Sequence, residues 1–274
     1  MKPFLKWIGG KYKILNRVLD ALPYGRRLIE PFAGSGAIFL NAGFEENLIC
    51  DLNTDLINLY KQVQIHGKDF VAYASTLFTP DNNIEGAYYV LRDEYNSCME
   101  VSRKSALFVY LNRHCFNGKM RYNSKGRFNS PFGWQLKRSP IFPEVEMLNF
   151  FWKSKRAIFE CASFIEVMKK ADIGSVVYCD PPYSPSAMRA TFTGYTSQGF
   201  TLTEQQELAD CAKELAVRGI PVVISNLETE FTRSLYADAK IISFDVRHSP
   251  SGHIQGKNKV GELLAIYAFQ KPLS

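Results

Sequence analysis

No apolar run in the 274-residue chain approaches the roughly 20 residues that a membrane span needs, so a spanning helix is not expected. The opening residues MKPFLKWIGGK set Trp7, Gly9, Gly10 and Lys11 where an export signal would need a long apolar stretch. The expected location is therefore the cytoplasm. Cysteine is sparse and scattered: the six stand at 50, 98, 115, 161, 179 and 211, with no CxxC pair and no histidine at ligand spacing. They read as reduced, mostly buried thiols. The four histidines (66, 114, 248, 253) form no local cluster either, so no metal is expected. Acidic residues are missing altogether between Glu100 and Glu144.

That last gap gives the charge pattern its meaning. The net charge of +6 says little alone, but residues 96–156 carry 12 Lys and Arg against 3 Glu, which leaves the rest of the chain slightly acidic. Aromatic residues interleave with the cations: Phe108, Tyr110, Phe116, Tyr122, Phe128, Phe132 and Trp134. A solvated basic face is the plain reading. An acid-free basic segment with aromatics suits a polyanion better, because cations neutralise phosphates and planar side chains stack on bases. Composition (46% apolar, 22% charged, 14% aromatic) supports a full core in one large domain or two modest ones.

Periodicity divides the chain into three regions. Residues 27–60 read as strand, turn, helix, strand, turn, helix: RRLIEPF, GSGAIFLNAGF, NLICD and NTDLINLYKQV. From about 61 to 156 the pattern is helical, then polar and turn-rich from Asn117 to Pro143. Strand-like AIFECA, SVVYCD, PVVISN and ELLAIYAF then alternate with helical FIEVMKKA and TEQQELADCAKELAVRG. Alternation of this kind predicts an α/β fold with a mostly parallel sheet, interrupted by the basic segment as an insertion. The expected division is a catalytic domain of residues 1–60 and 157–274 around an inserted recognition domain of 61–156.

Three motifs carry chemistry. In Glu30-Pro31-Phe32-Ala33-Gly34-Ser35-Gly36 the glycines let a backbone approach a ligand and leave helix N-terminal N–H groups open, although a plain tight turn explains them equally well. A dinucleotide fingerprint would need glycine where Phe39 stands, which argues against a nicotinamide site. Asp51 ends the next strand, where an acid can accept both hydroxyls of a ribose; capping of the following helix is the alternative, though Asn53 or Thr54 could supply it. In SVVYCDPPY an apolar strand runs into Asp180, Pro181, Pro182 and Tyr183. The prolines remove two donors, so the turn offers the Asp180 carboxylate and the Pro181 carbonyl as acceptors beside an aromatic ring. Such a site suits an amino group on a flat heteroaromatic ring.

The turn PFAGSGAIF, Asp51 and DPPY, in that order around a basic insertion, resemble the DNA adenine-N6 methyltransferases of the α arrangement. Six ordered blocks (FLKWIGGK, EPFAGSGAIFLN, YLNRHCFNG, RYNSKGRFNSPFG, VVYCDPPYSP and VVISN) are similar to the Dam family of GATC methylases, from Phe4 to about Ala268. The resemblance implies a Rossmann-like fold that binds S-adenosyl-L-methionine, and transfer of its methyl group to the N6 amino group of a flipped adenine in double-stranded DNA, within GATC. It implies further that Trp7 and Lys11 pack on the cofactor and meet its methionine end. Phe32, Gly34 and Gly36 would form the cradle, Asp51 would hold the ribose, and Ser163 and Phe164 would flank the cofactor adenine. Asp180, Pro181, Pro182 and Tyr183 would grip the target base, with Asp180 also bordering the cofactor. Lys6, Arg113, Phe116, Asn117, Lys119, Arg121 and Asn123 fall where family members contact DNA.

The recognition segment departs from the family pattern at Phe116 (commonly tyrosine), at Lys119 (commonly leucine) and at Trp134-Gln135, which replace a more polar, basic pair. A cation at Lys119 would add a guanine or phosphate contact. The polar stretches Ser184–Phe200 and His248–Lys259 read equally well as ordinary connections by composition, but their position beside the implied pocket suggests segments that order on DNA. A monomeric bacterial or phage enzyme is expected. The rival readings are a cytosine-N4 methyltransferase, a catalytically silent DNA-binding module and a Rossmann oxidoreductase.

Overall fold

In a computed structural model of the chain, residues 1–133, 140–182, 200–246 and 260–268 are described. Among the described residues there are seven strands, β1 (Arg27–Glu30), β2 (Glu46–Cys50), β3 (Ala157–Glu160), β4 (Ser175–Cys179), β5 (Val222–Leu227), β6 (Lys240–Val246) and β7 (Val260–Tyr267). They form one sheet in the order β3-β2-β1-β4-β5-β7-β6. Strands β1 to β5 pair in parallel; β7 runs antiparallel to both β5 and β6. The chain moves outward through β2 and β3 on one side of β1 and through β4 and β5 on the other. A crevice therefore opens beyond the carboxyl ends of β1 and β4, the switch point at which open α/β sheets bind ligands.

Helices cover both faces, as a parallel sheet requires. On one face lie α1 (Leu15–Ala21), α2 (Ala37–Asn41), α3 (Thr54–Ser75) and, beyond α4 (Glu85–Ser97) and α5 (Val101–His114), α6 (Glu144–Ser154); the other carries α7 (Phe164–Met168), α8 (Leu202–Val217) and α9 (Glu230–Leu235). Side chains alternate accordingly. Ile29, Leu48, Val177 and Ile224 join the layer of α7 and α8, whereas Leu28, Tyr178 and Val223 pack with Val18 and Ile38. Ile49 joins a third cluster with Tyr60, Phe108 and Phe150, so one continuous core runs from the sheet into the inserted helices. Each large apolar side chain buried there contributes about 1.5–3 kcal/mol.

Several elements differ from the sequence expectations. The helix expected over GSGAIFLNAGF is only Ala37–Asn41, because residues 34–36 form the turn and Ala42 leaves in extended geometry. The two helical stretches expected on either side of residue 60 are one helix, α3, bent at Gly67 (φ 49°, ψ −121°). A Cβ at Gly67 would lie 2.6 Å from the Phe151 ring, so glycine admits both the bend and α6. Helices α1 and α9 and strand β6 were not among the expected elements. Among the described residues, no helix is long and apolar enough to cross a membrane.

Candidate active site

The β1-to-α2 turn needs its glycines. Gly34 and Gly36 adopt φ of 46° and 69°, in the left-handed region that side chains disfavour. The indole of Trp7 lies on Gly34, and a Cβ there would come 2.9 Å from it. Asp51 ties this turn to the end of β2. Its two carboxylate oxygens accept from the N–H groups of Gly34 and Asn53, each at 3.0 Å, while the Tyr60 hydroxyl donates to the Gly34 carbonyl. Asn53, not Asp51, caps α3, accepting from the Leu56 N–H at 3.0 Å. Burial pushes the Asp51 carboxyl up, against the pull of its backbone donors.

An aromatic wall stands beside the turn. Phe32 stacks on Phe164 (centroids 5.7 Å apart, 26° between planes), and Phe200 meets both edge-on. Ser163 caps α7 in a capping box with Glu166, so its hydroxyl and N–H serve the helix end. Phe200 was not a sequence candidate; only folding brings it to Phe32.

Across the crevice, Asp180 follows β4 and pairs with Lys11, whose Nζ lies 2.7 Å from Oδ1. Lys11 is 4% exposed and also donates to the Gly9 carbonyl at 3.1 Å. Burial raises the Asp180 carboxyl and Lys11 opposes that rise. The sequence expectation set Lys11 toward the cofactor; in the structure its ammonium holds Asp180. Pro181 is buried and Pro182 half-buried, whereas Tyr183 lies outside the described residues.

Glu30, at the end of β1, went unassigned at the level of sequence. It is 1% exposed, and its Oε1 has no hydrogen-bond partner among the described residues. Its carboxyl is pushed up to about 8, chiefly by burial, with the Asp180 charge adding to the rise and the Phe39 N–H and Lys153 opposing it. Because the folded-state value lies above the unfolded one, the ligand-free protein should lose stability as pH rises from the ordinary carboxylate range through about 8. Glu30→Gln should flatten that fall by a few kcal/mol, read by denaturant unfolding between pH 5 and 9. An unchanged slope would remove Glu30 as its cause.

The expected DNA contacts divide into two groups. Lys6 meets the Phe116–Gly118 turn: a Cβ at Gly118 (φ 68°) would lie 2.6 Å from Lys6 Cβ, and Asn117 also has positive φ, 54°. Asn112, fully buried and not singled out from sequence, clamps this contact by accepting from the Lys6 N–H at 2.9 Å and donating to the Lys6 carbonyl at 2.7 Å. Arg121 lies on an adjoining hairpin, exposed, and donates to Asn129; Asn123 shapes the hairpin turn by accepting from the N–H groups of Lys125 and Arg127. Lys119 is half-buried beside the turn. Arg113 is half-buried and donates to the Ile141 carbonyl at 3.1 Å. Trp134, Gln135, residues 184–199 and residues 248–259 lie outside the described residues.

The cysteines are less buried than expected: Cys50, Cys115 and Cys179 are buried, Cys98 and Cys211 are half-buried, and Cys161 is exposed. His114 stacks on Tyr110 with centroids 4.0 Å apart, and burial pushes it down to about 4. Among the described residues no three His, Cys, Asp or Glu converge as metal ligands.

The family model for D12 class N6 adenine-specific DNA methyltransferases matches residues 7–249, which include the glycine turn, Asp51, the basic insertion and the Asp180 turn. The chain belongs to this family. It is 46% identical over 267 residues to the DNA adenine methylase of Serratia marcescens, covering 97% of this chain and 98% of that one. It is 45% identical over 266 residues to the DNA adenine methylase of Escherichia coli K12 (97% and 95%) and 44% identical over 267 residues to that of Vibrio cholerae O395 (97% and 96%). As a D12 class enzyme the chain methylates adenine N6 in DNA, which sets aside the cytosine, silent-module and oxidoreductase readings. Phe39, which argued against the last of these, is fully buried and packs edge-on against Phe150 and Phe159.

Proposed function

We propose that the chain takes its methyl group from S-adenosyl-L-methionine and places it on a flipped adenine within GATC, with the acceptors of the Asp180 turn gripping the base. The observation that carries this reading is the Asp180-Pro181 turn at the carboxyl end of β4, held by Lys11 across the crevice from the Gly34–Asp51 turn.

The residues present suit the cofactor. Asp51 has lone pairs beyond those its backbone donors use, and the buried Glu30 Oε1 suits a cationic donor. Trp7, Phe32, Gly34, Gly36 and Asp51 would hold it, with Phe164 beside its adenine and Lys11 and Asp180 bordering the methionine end. Ser163 would contribute mainly by fixing Phe164. When bound, S-adenosyl-L-methionine supplies an electrophilic methyl group on a sulfonium.

The protein's share is to present the amino nitrogen. An adenine inside a duplex cannot reach that methyl, so it is extruded at a cost of a few kcal/mol. Phosphate contacts and an inserted side chain, with Phe116 as the candidate, offset that cost. Asp180 and the Pro181 carbonyl accept the two amino hydrogens. Amide-like delocalisation then falls, the lone pair turns toward the methyl group, and Asp180 stabilises the positive charge that builds on nitrogen. Lys11 opposes the rise that burial imposes on the Asp180 carboxyl and so favours the anion that faces the amino group. Pro182 stiffens the turn, and the Tyr183 ring stacks on the base.

Residues 61–156 act as the recognition part within the catalytic domain of 1–60 and 157–274, though α3 crosses the boundary. Lys6, Phe116, Asn117, Lys119, Arg121 and Asn123 form the DNA face, and Arg113 supports it. The enzyme acts as a monomer, in the cytoplasm, without a metal. The test is incubation with S-adenosyl-L-methionine and plasmid from a methylation-free host, followed by single-molecule sequencing. N6-methyladenine should fall at GATC; the mark in another context would refute the GATC assignment and trace the change to Lys119 and Trp134-Gln135.

A further inference from the structure

Behind the Asp180 turn lies a buried polar cluster that the chemistry above does not use. Gln205, in the first turn of α8, is 1% exposed, Asn226 on β5 is 2% and Tyr236, just past α9, is 0%. Buried amides and hydroxyls persist only when paired, and here the pairing fixes a direction. Asn226 Oδ1 accepts from the Leu227 N–H at 2.8 Å, so its Nδ2 donates, to Gln205 Oε1 at 3.1 Å and to the Tyr236 hydroxyl at 3.0 Å. The Tyr236 hydroxyl in turn donates to the same Gln205 Oε1 at 3.3 Å. With its oxygen engaged twice, Gln205 must present its Nε2 donor outward. That donor meets the Pro182 carbonyl at 3.4 Å.

We infer that Gln205, oriented by Asn226 and Tyr236, is a positioning residue that clamps the Asp180-Pro181-Pro182 turn from behind and sets the direction of the Pro181 carbonyl. The need is physical. Both prolines lack an N–H, so neither can anchor the turn by donating, and one available way to pin it is to donate to its carbonyls. Gln205 also sits where α8 begins, locked by the capping box of Thr201 and Glu204. It thereby joins the residue before position 183 to the helix that starts after position 199. The inference rests on the Asp180 turn being the seat of methyl transfer.

Gln205→Glu tests it, since the substitution keeps shape and replaces only the donor. The introduced carboxylate would face the Pro182 carbonyl lone pair to lone pair at high pH, and donate again once protonated. Around the cluster, Tyr236 is pushed up to about 12 and Cys179 well above the ordinary thiol range, both chiefly by burial, so neither titrates between pH 6 and 9. A carboxylate at position 205 would, while ionised, raise Asp180 further, which costs the variant activity on the acid side and so opposes the expected climb of the ratio.

The expected result is a kcat lowered about tenfold or more near pH 9, affinities for DNA and S-adenosyl-L-methionine unchanged, and a ratio to wild type that climbs as pH falls toward 6. Wild-type kcat throughout, or a loss independent of pH, overturns the clamp. Tyr236→Phe provides a second reading if the first variant does not fold: kcat should fall a few-fold at constant affinities, and an unchanged kcat overturns the proposal. Asp180→Ala, run alongside, separates the two failures. A fully active Asp180→Ala refutes the site itself, whereas an inactive one beside a wild-type Gln205→Glu refutes the clamp alone.

Discussion

Asp180→Ala should bind duplex DNA with near wild-type affinity and lose methyl transfer by about 10²–10³-fold or more in kcat, the scale on which removing one preorganised polar group acts. In the proposed mechanism the carboxylate supplies an acceptor that the backbone cannot replace, and it faces a nitrogen that becomes positive only as the bond forms. Its removal therefore weakens the transition state far more than the bound state. The variant should also be less stable, because Lys11 is 4% exposed and would lose the carboxylate that balances its charge. With the Asp180 side chain 20% exposed, the cost falls below the about 3–5 kcal/mol of a fully buried pair. Adding Lys11→Met should recover the melting temperature and none of the activity. Recovery of both would make the role of Asp180 structural.

The same pair sets a pH dependence. In the proposed mechanism the anionic form of Asp180 stabilises the charge that builds on the amino nitrogen; burial raises its carboxyl, and Lys11 pulls it back. Activity should therefore fall on the acid side at a higher pH than an ordinary carboxylate gives, and Lys11→Met alone should move that limb higher still.

Asp51→Ala carries the second large effect. It removes the acceptor proposed for the cofactor ribose and strands the Gly34 and Asn53 N–H groups, each bonded to Asp51 at 3.0 Å. A charge-assisted hydrogen bond contributes about 1.5–3 kcal/mol, so S-adenosyl-L-methionine affinity should drop about 10- to 100-fold, and further as the Gly34 turn loosens. Calorimetric titration reads the affinity, and thermal unfolding reads the turn. Cofactor affinity equal to wild type would remove Asp51 from the binding site.

Local signals made much of this legible. The glycine turn, the acid closing β2 and the Asp180 prolines are each written in consecutive residues, and alternation of strand and helix fixes them at one edge of a parallel sheet. Asn53 resolves an ambiguity that sequence left open, because whether Asp51 or its neighbour caps α3 depends on backbone direction. What escaped notice joins distant parts of the chain. Lys11 reaches Asp180 from the far end of the sequence, Asn112 grips Lys6, and Gln205 reaches Pro182; none of these pairings carries a local signature. The bend at Gly67 depends on Phe151 of α6, so the periodicity around residue 60 could not reveal one continuous α3. Strand β6 escaped although its antiparallel neighbour β7 was legible in ELLAIYAF, because KIISFDV is an edge strand of mixed polarity, largely exposed, and shows no continuous apolar run.

The most direct measurement is a crystal structure of the protein with a GATC duplex and a non-reactive analogue of S-adenosyl-L-methionine. The target adenine should be out of the helix, with its amino group hydrogen-bonded to the Asp180 carboxylate and the Pro181 carbonyl. An adenine bound with its amino group facing any other residues would contradict the account.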